Sequence, residues 1–293
     1  MSLFLTISKL FKANVLYAVL GMSASVIIAR ELGPLLKGEL TLFFLVSSVL
    51  SLSMRFGLDT AIIRFLKVKP EDFSLVKNSI YLALIIMLFF GFILFLTTIF
   101  FDITTSLNQL EKYHHFLYVL IPLEVISILI ASFLLGSNKI SQYSFSIVIQ
   151  PTVFFILVVF YLILNIQLTI FNIIAITAFS FAIKFIYLLV ITKYFYYIKK
   201  ETFSIKKSFY LLTFGIKSHL GNVLDFFILR TDILLISFFI GLEAVGIYSI
   251  AALAEKINII NGSIGSAVFS KIKCSKNTEL VNQIIRLTLP LLI

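Results

Sequence analysis

The chain has 293 residues, of which 60% are hydrophobic and 13% charged, with a mean hydropathy of +1.09 and a formal net charge of +10. A soluble domain keeps about a quarter of its residues charged, so this composition excludes a water-soluble globule. Apolar runs of about twenty residues recur along the chain, each long enough to cross a bilayer core of about 30 Å. A closed β-barrel is the other spanning solution, but the stretch from Asn78 to Phe101 does not alternate apolar and polar residues as a barrel strand would. The fold class expected is an all-α polytopic membrane protein.

Taken in chain order, the apolar runs predict spans at 12–29, 40–66, 78–101, 115–137, 144–165, 168–192, 210–240 and 244–268, then a stub beginning near 283. The first run has no clear cleavage site and is followed by more spans, so it reads as an anchor rather than a signal peptide. Assigning alternate connections to the cytoplasm, beginning with the N-terminus, sorts the basic residues. Fifteen fall on one side, from Lys9 and Lys12 through the Lys193 to Lys207 connection to Lys271, Lys273 and Lys276, against Arg30, Lys37 and Lys112 on the other. The positive-inside rule makes the N-terminus cytoplasmic. The net charge is then a matter of topology and of contact with anionic lipid headgroups, and no nucleic-acid partner is implied.

Gly33, Pro34 and Gly38 mark the turn after the first span, as Gly241 and Gly246 do after the seventh, and both sets fit turn and helix-cap geometry. An offset of 208 residues superposes Gly33, Gly38 and Gly57 on Gly241, Gly246 and Gly265, Asn14 on Asn222 and Lys9 on Lys217. An even number of spans separates the copies, so they share an orientation, as in transporters built from parallel repeats. The division expected is a six-helix transmembrane bundle over 1–200 and the start of a second over 201–293. On the same offset Ile293 falls on Ile85, inside the third span of the first copy, so the second bundle reads as truncated.

Ionisable groups inside spans are costly and usually face a cavity or a partner. Arg55 and Asp59 are spaced i, i+4 on the second span and can pair, with Arg64 near its cytoplasmic end; a pair that merely neutralises itself is the plainer alternative. Glu124 and Lys184 lie on the fourth and sixth spans. On the seventh, Lys217, Gly221, Asp225, Ile228 and Asp232 form a helical stripe, with Arg230 in the same turn as Asp232, and the eighth adds Glu255 and Lys256. Mixed charge of this kind suits an aqueous cavity that receives a substrate phosphate on Arg and Lys, although a polar seam between helices would also account for it. The substrate-cavity candidates are therefore Arg55, Asp59, Arg64, Glu124, Lys184, Lys217, Asp225, Arg230, Asp232 and Lys256. Tyr194, Tyr196, Tyr197 and Tyr210 suit an interfacial aromatic belt.

Catalytic and metal-binding signatures are lacking in the sequence. Cys274 is the sole cysteine, which excludes a disulfide or multi-thiolate site within the chain. Of the histidines His114, His115 and His219, the tandem pair falls in a polar loop, and no metal or other cofactor is assigned. There is no phosphate-binding glycine loop, no nucleophile elbow and no large loop to house an active site.

The stretch from Ala29 to Phe65, ARELGPLLKGELTLFFLVSSVLSLSMRFGLDTAIIRF, resembles the first-to-second span signature of polysaccharide flippases in the multidrug/oligosaccharidyl-lipid/polysaccharide exporter superfamily. The stretch from Arg230 to Ile260 is similar to the start of that family's second bundle, with its marks at Asp232, Gly241, Gly246 and Tyr248. The resemblance implies a two-lobed exporter fold of twelve to fourteen spans that alternates access. It further implies a basic cavity, fitting Arg55, Lys184, Lys217 and Arg230, and outward transport of undecaprenyl-diphosphate-linked oligosaccharide in the inner membrane for O-antigen, lipopolysaccharide or capsule assembly. The partners expected are membrane lipids, that lipid-linked sugar and polysaccharide assembly proteins, and no enzyme activity is expected. The alternatives are a cation-coupled drug or lipid exporter of the same superfamily, a membrane glycosyltransferase or polymerase, and an inactive remnant.

Overall fold

The computed structural model describes residues 3–67, 73–100, 113–193 and 203–253. Among them every regular element is a helix: α1 Leu3–Arg55, α2 Leu58–Leu66, α3 Phe73–Phe100, α4 His114–Gly136, α5 Ile140–Ile163, α6 Ile170–Ile191, α7 Ile205–Phe239 and α8 Leu242–Ala251. Four of these, α1, α4, α5 and α6, are long and apolar enough to cross a membrane, and the chain is an all-α polytopic membrane protein. The expected eighth span beyond Leu253, the stub near 283, Glu255, Lys256 and Cys274 lie outside the described residues.

Two corrections concern the first two spans. The ten-residue turn expected between 29 and 40 shrinks to one non-helical residue, Gly33, at φ 74° and ψ 173°. Glycine enters this region without the Cβ penalty, and Pro34, which follows, suits the first turn of the next helix because it has no N–H to leave unpaired. The chain reverses at this point. Lys37 Nζ donates to Ser25 Oγ at 3.0 Å, whereas twelve residues of straight helix would separate the two positions by about 18 Å. The two limbs of α1 thus form a hairpin, with Ile28 and Leu32 of one packing with Leu40 and Phe43 of the other.

The second span, expected to run unbroken over 40–66, is interrupted where Phe56 and Gly57 take φ values of 49° and 71°. A bulky residue in the left-handed region costs about 1–2 kcal/mol, and tight packing on both sides holds this one there. Leu58, Ala61, Ile62 and Leu66 of α2 are buried against Val125, Leu129, Ile130 and Phe133 of α4. On the other side, a Cβ on Gly57 would stand 2.1 Å from the carbonyl oxygen of Gly215 in α7, and one on Gly215 would stand 2.7 Å from that of Phe56. The two backbones touch, which only a pair of glycines allows.

A reciprocal contact joins α1 to α8. A Cβ on Gly38 would stand 1.9 Å from the carbonyl oxygen of Leu242, and one on Gly246 would stand 1.9 Å from that of Pro34. Gly38 and Gly246, and likewise Pro34 and Leu242, are separated by the 208-residue offset, so the contact has local twofold character. Gly241, at φ 120°, starts α8 much as Gly33 starts the second limb of α1. At the other end of α7 a buried polar cluster ties it to α3: Asn78 Oδ1 accepts from Ser204 N at 2.9 Å and from Ser208 Oγ at 3.1 Å, and Lys207 Nζ donates to Ser74 Oγ.

Substituting Gly38 or Gly246 with Val forces backbone separation at the α1–α8 crossing. Each should cost about 1–3 kcal/mol or more, as overpacking does, and lower the thermal midpoint of the detergent-solubilised protein. Gly91→Ala, whose Cβ meets nothing within 4 Å, should leave the midpoint unchanged or raise it.

Candidate functional site

The glycine contacts leave polar space between α1, α2, α4, α5, α6 and α7. One cavity of about 440 Å³ is lined by Arg55, Asp59, Thr60, Ser132, Tyr143 and Lys184. A second, of about 420 Å³, shares Arg55 and Asp59 and adds Glu124, Asn222 and Asp225. A third, of about 430 Å³ near the Gly33 end, shares Glu124 and adds Tyr17, Ser25, Lys37, Gln150 and Arg230. Neighbouring cavities share side chains, Arg55 and Asp59 between the first two and Glu124 between the second and third, and this row of cavities is the polar path.

Arg55 and Asp59 stand at its middle. Arg55 Nη1 lies 3.4 Å from Asp59 Oδ2, and Arg55 Nε donates to the Ser51 carbonyl at 3.3 Å. The i, i+4 pair is present despite the helix break between its members. Both side chains are largely shielded, at 21% and 16% exposure. Beside them the Thr60 hydroxyl donates to the Gly57 carbonyl at 2.7 Å and shares a 2.7 Å hydrogen bond with the Ser218 hydroxyl of α7.

Glu124, on α4, lies within electrostatic reach of both Arg55 and Lys184. The Lys184 ammonium also sits 5.9 Å above the Phe181 ring, an arrangement that favours a cation. Four cations (Lys37, Arg55, Lys184 and Arg230) and three carboxylates (Asp59, Glu124 and Asp225) therefore line the path.

The remaining expected residues divide. Asp225 is exposed but lines the second cavity, and Arg230 lines the third. Asp232 accepts from Tyr248 Oη and from the N–H of Ile233 at 2.8 Å, which binds α8 to α7; its carboxylate is engaged in holding that helical hairpin. Lys217 is exposed and Arg64 closes the last turn of α2, and neither lines the three cavities. Lys217, Gly221, Asp225 and Ile228 of the α7 stripe are all exposed, and of these Asp225 also borders the second cavity.

Two residues of the site escaped the sequence reading. Lys37 was placed among the charges of an external turn, but it is only 8% exposed and points into the third cavity. The signal lay in its distance from the turn: it follows Pro34 by three residues and so belongs to the first turn of a helix rather than to a loop. His219 stacks on Phe56 at 4.9 Å and 19°, and no pattern of spacing marked it. Among the described residues no group of three or more His, Cys, Asp or Glu is placed to hold a metal ion.

The family described as polysaccharide biosynthesis protein matches residues 6–270. No curated protein and no solved structure matches the chain.

Removing one member of the shielded pair leaves the other charge uncompensated. Arg55→Gln should therefore destabilise the protein by about 1–3 kcal/mol, and Asp59→Asn added to it should recover part of that loss. Thermal unfolding of the two single variants and the double variant measures this; strict additivity would dissolve the pair.

Proposed function

The chain belongs to the polysaccharide biosynthesis protein family, and from that premise we propose that it translocates undecaprenyl-diphosphate-linked oligosaccharide across the cytoplasmic membrane during assembly of O-antigen, lipopolysaccharide or capsule. The observation that carries this reading is the polar path itself, in which Arg55, Lys184, Lys37 and Arg230 line adjoining cavities inside an apolar helical bundle. A diphosphate passing through a low-dielectric bundle needs cationic partners to replace its hydration. Arginine offers two parallel donors to a phosphate, and lysine a compact charge. The carboxylates between them hold the bases apart when no substrate is present.

In this reading the chain is a transporter rather than an enzyme. Its N-terminus is cytoplasmic, its first six spans form one lobe and α7 opens a second, and the lobes rock about the glycine contacts to expose the path to either side. The partners are the lipid-linked sugar, the surrounding lipid and the polysaccharide assembly proteins. Asp59, Glu124 and Asp225 on the same path favour one competing reading, a cation-coupled exporter of drugs or lipids, since acids in a bundle interior suit cationic substrates or coupling ions.

The test is complementation of a bacterial host that lacks its own flippase. The full-length protein should restore surface polysaccharide. Arg55→Gln, Lys184→Gln and Arg230→Gln should each reduce it at least about tenfold, the worth of one charge-assisted hydrogen bond, with membrane insertion unchanged. Normal polysaccharide in all three variants would refute the cavity assignment. Uptake of a cationic dye into vesicles, unaffected by lipid-linked sugar, would favour the competing exporter.

A further inference from the structure

Asp59 Oδ1 and His219 Nδ1, like Ser51 Oγ beside Arg55, are buried polar atoms without a hydrogen-bond partner among the described residues. They belong to opposite sides of one contact. His219 lies on α7, one turn beyond Gly215, whose backbone touches Phe56 and Gly57, and its ring stacks on Phe56. Ser218, its neighbour, is hydrogen-bonded to Thr60, which follows Asp59. The spacing between the helices is thus set by backbone contact below and a hydroxyl pair alongside. The imidazole is thereby held at the α2–α7 contact, within electrostatic reach of the Asp59 carboxylate.

The charged groups within electrostatic reach of the ring are Arg55, at the end of α1, and Asp59, on α2. On its own helix Lys217 is two positions away, hence on another face, and is exposed. The other helices packed on α7 bring their polar groups elsewhere. Ser74, Lys77 and Asn78 of α3 belong to the end of α7 at Ser204 to Ser208, about 16 Å away along the axis. The α8 contact at Asp232 is about 20 Å away in the other direction. Of the remaining charges along the path, Glu124 and Asp225 border the adjoining cavity.

We propose that His219 is a proton-binding site that regulates the path, and that the protonated imidazolium takes Asp59 as its counter-ion and so releases Arg55 to a substrate phosphate. The step adds one proton to the imidazole and breaks no covalent bond. With His219 neutral, Asp59 Oδ2 is satisfied by Arg55 alone and Oδ1 is unpaired. With His219 charged, Oδ1 receives an N–H donor, the carboxylate has two cations to share, and the guanidinium fork is free to turn toward an anion. By linkage the effect is reciprocal: an anion that holds Arg55 leaves Asp59 to His219 and favours proton uptake. A diphosphate and a proton would then bind together at the junction of α2 and α7, where the two helices are in contact. The inference rests on the proposed function for the identity of the anion, and on geometry alone for the His219–Asp59 partnership.

The experiment uses the full chain in lipid nanodiscs, with isotope-labelled histidine and inorganic pyrophosphate as the probe. Only three histidines contribute signals, and His219→Gln identifies the one of interest. The His219 resonance should titrate between about pH 5 and pH 8, and Asp59→Asn should move its midpoint to lower pH. Pyrophosphate should bind at least about threefold more tightly at about pH 5.5 than at about pH 7.5, and that difference should vanish in His219→Gln and in Asp59→Asn. A His219 titration indifferent to Asp59→Asn overturns the proposal. So does a pH dependence that survives in His219→Gln. One that is lost in His219→Gln but kept in Asp59→Asn also overturns it, because the proton would then act by charge alone. If pyrophosphate fails to bind the unmodified protein at any pH, the reading of the cavity falls, while the resonance titration still decides the His219–Asp59 partnership.

Discussion

Backbone-to-backbone contact at two pairs of glycines is the constraint from which the rest of the structure follows. Gly57 against Gly215 and Gly38 against Gly246 bring α2 to α7 and α1 to α8 closer than any side chain would allow. In a membrane there is little hydrophobic gain in joining helices, since lipid tails are as apolar as leucine, and close approach of small residues supplies the packing instead. Side-chain contact around each glycine pair, such as Leu42 and Leu45 with Ile233 and Val245, then adds to it. The cavities lined by Arg55, Asp59 and Asp225 lie alongside these contacts.

The same closeness explains how charges persist in so apolar a chain. Arg55, Asp59, Glu124 and Lys184 come from four helices and converge on adjoining cavities, where each carboxylate has a cation within reach. Isolated, any one of them would meet a desolvation penalty of several kcal/mol; together they leave a site of near-balanced charge. A balanced site is easily shifted by a further charge, whether an anionic ligand or a proton.

Much of this was legible in the sequence, for identifiable reasons. Spans announce themselves by length and hydropathy because lipid imposes both, and Arg55 with Asp59 was recognisable because i, i+4 spacing survives even a broken helix. The glycine offset found along the chain reappears as the reciprocal contact of Gly38 with Leu242 and Gly246 with Pro34. Lys37 was misplaced because its polar neighbours Gly38 and Glu39 resemble a loop, and the tightness of the Gly33 turn depends on a backbone angle that composition does not encode. The break at Phe56 was invisible for the opposite reason: phenylalanine has no preference for the left-handed region, and only the tertiary contact with α7 puts it there. Lys217 and Asp225, two turns apart on one stripe of α7, are both exposed, and Asp225 alone of the two borders a described cavity.

The central claim is that an isoprenyl-diphosphate sugar crosses the bilayer through the path centred on Arg55. Proteoliposomes loaded symmetrically with a fluorescent short-chain isoprenyl-diphosphate oligosaccharide, and challenged from outside with a membrane-impermeant quencher, measure that crossing directly. Quenching that passes the outer-leaflet fraction and continues to near completion with the unmodified protein, but halts at about half with Arg55→Gln as it does in protein-free vesicles, is the result this account predicts. Quenching that halts at about half with the unmodified protein, or that continues equally with Arg55→Gln, would contradict it.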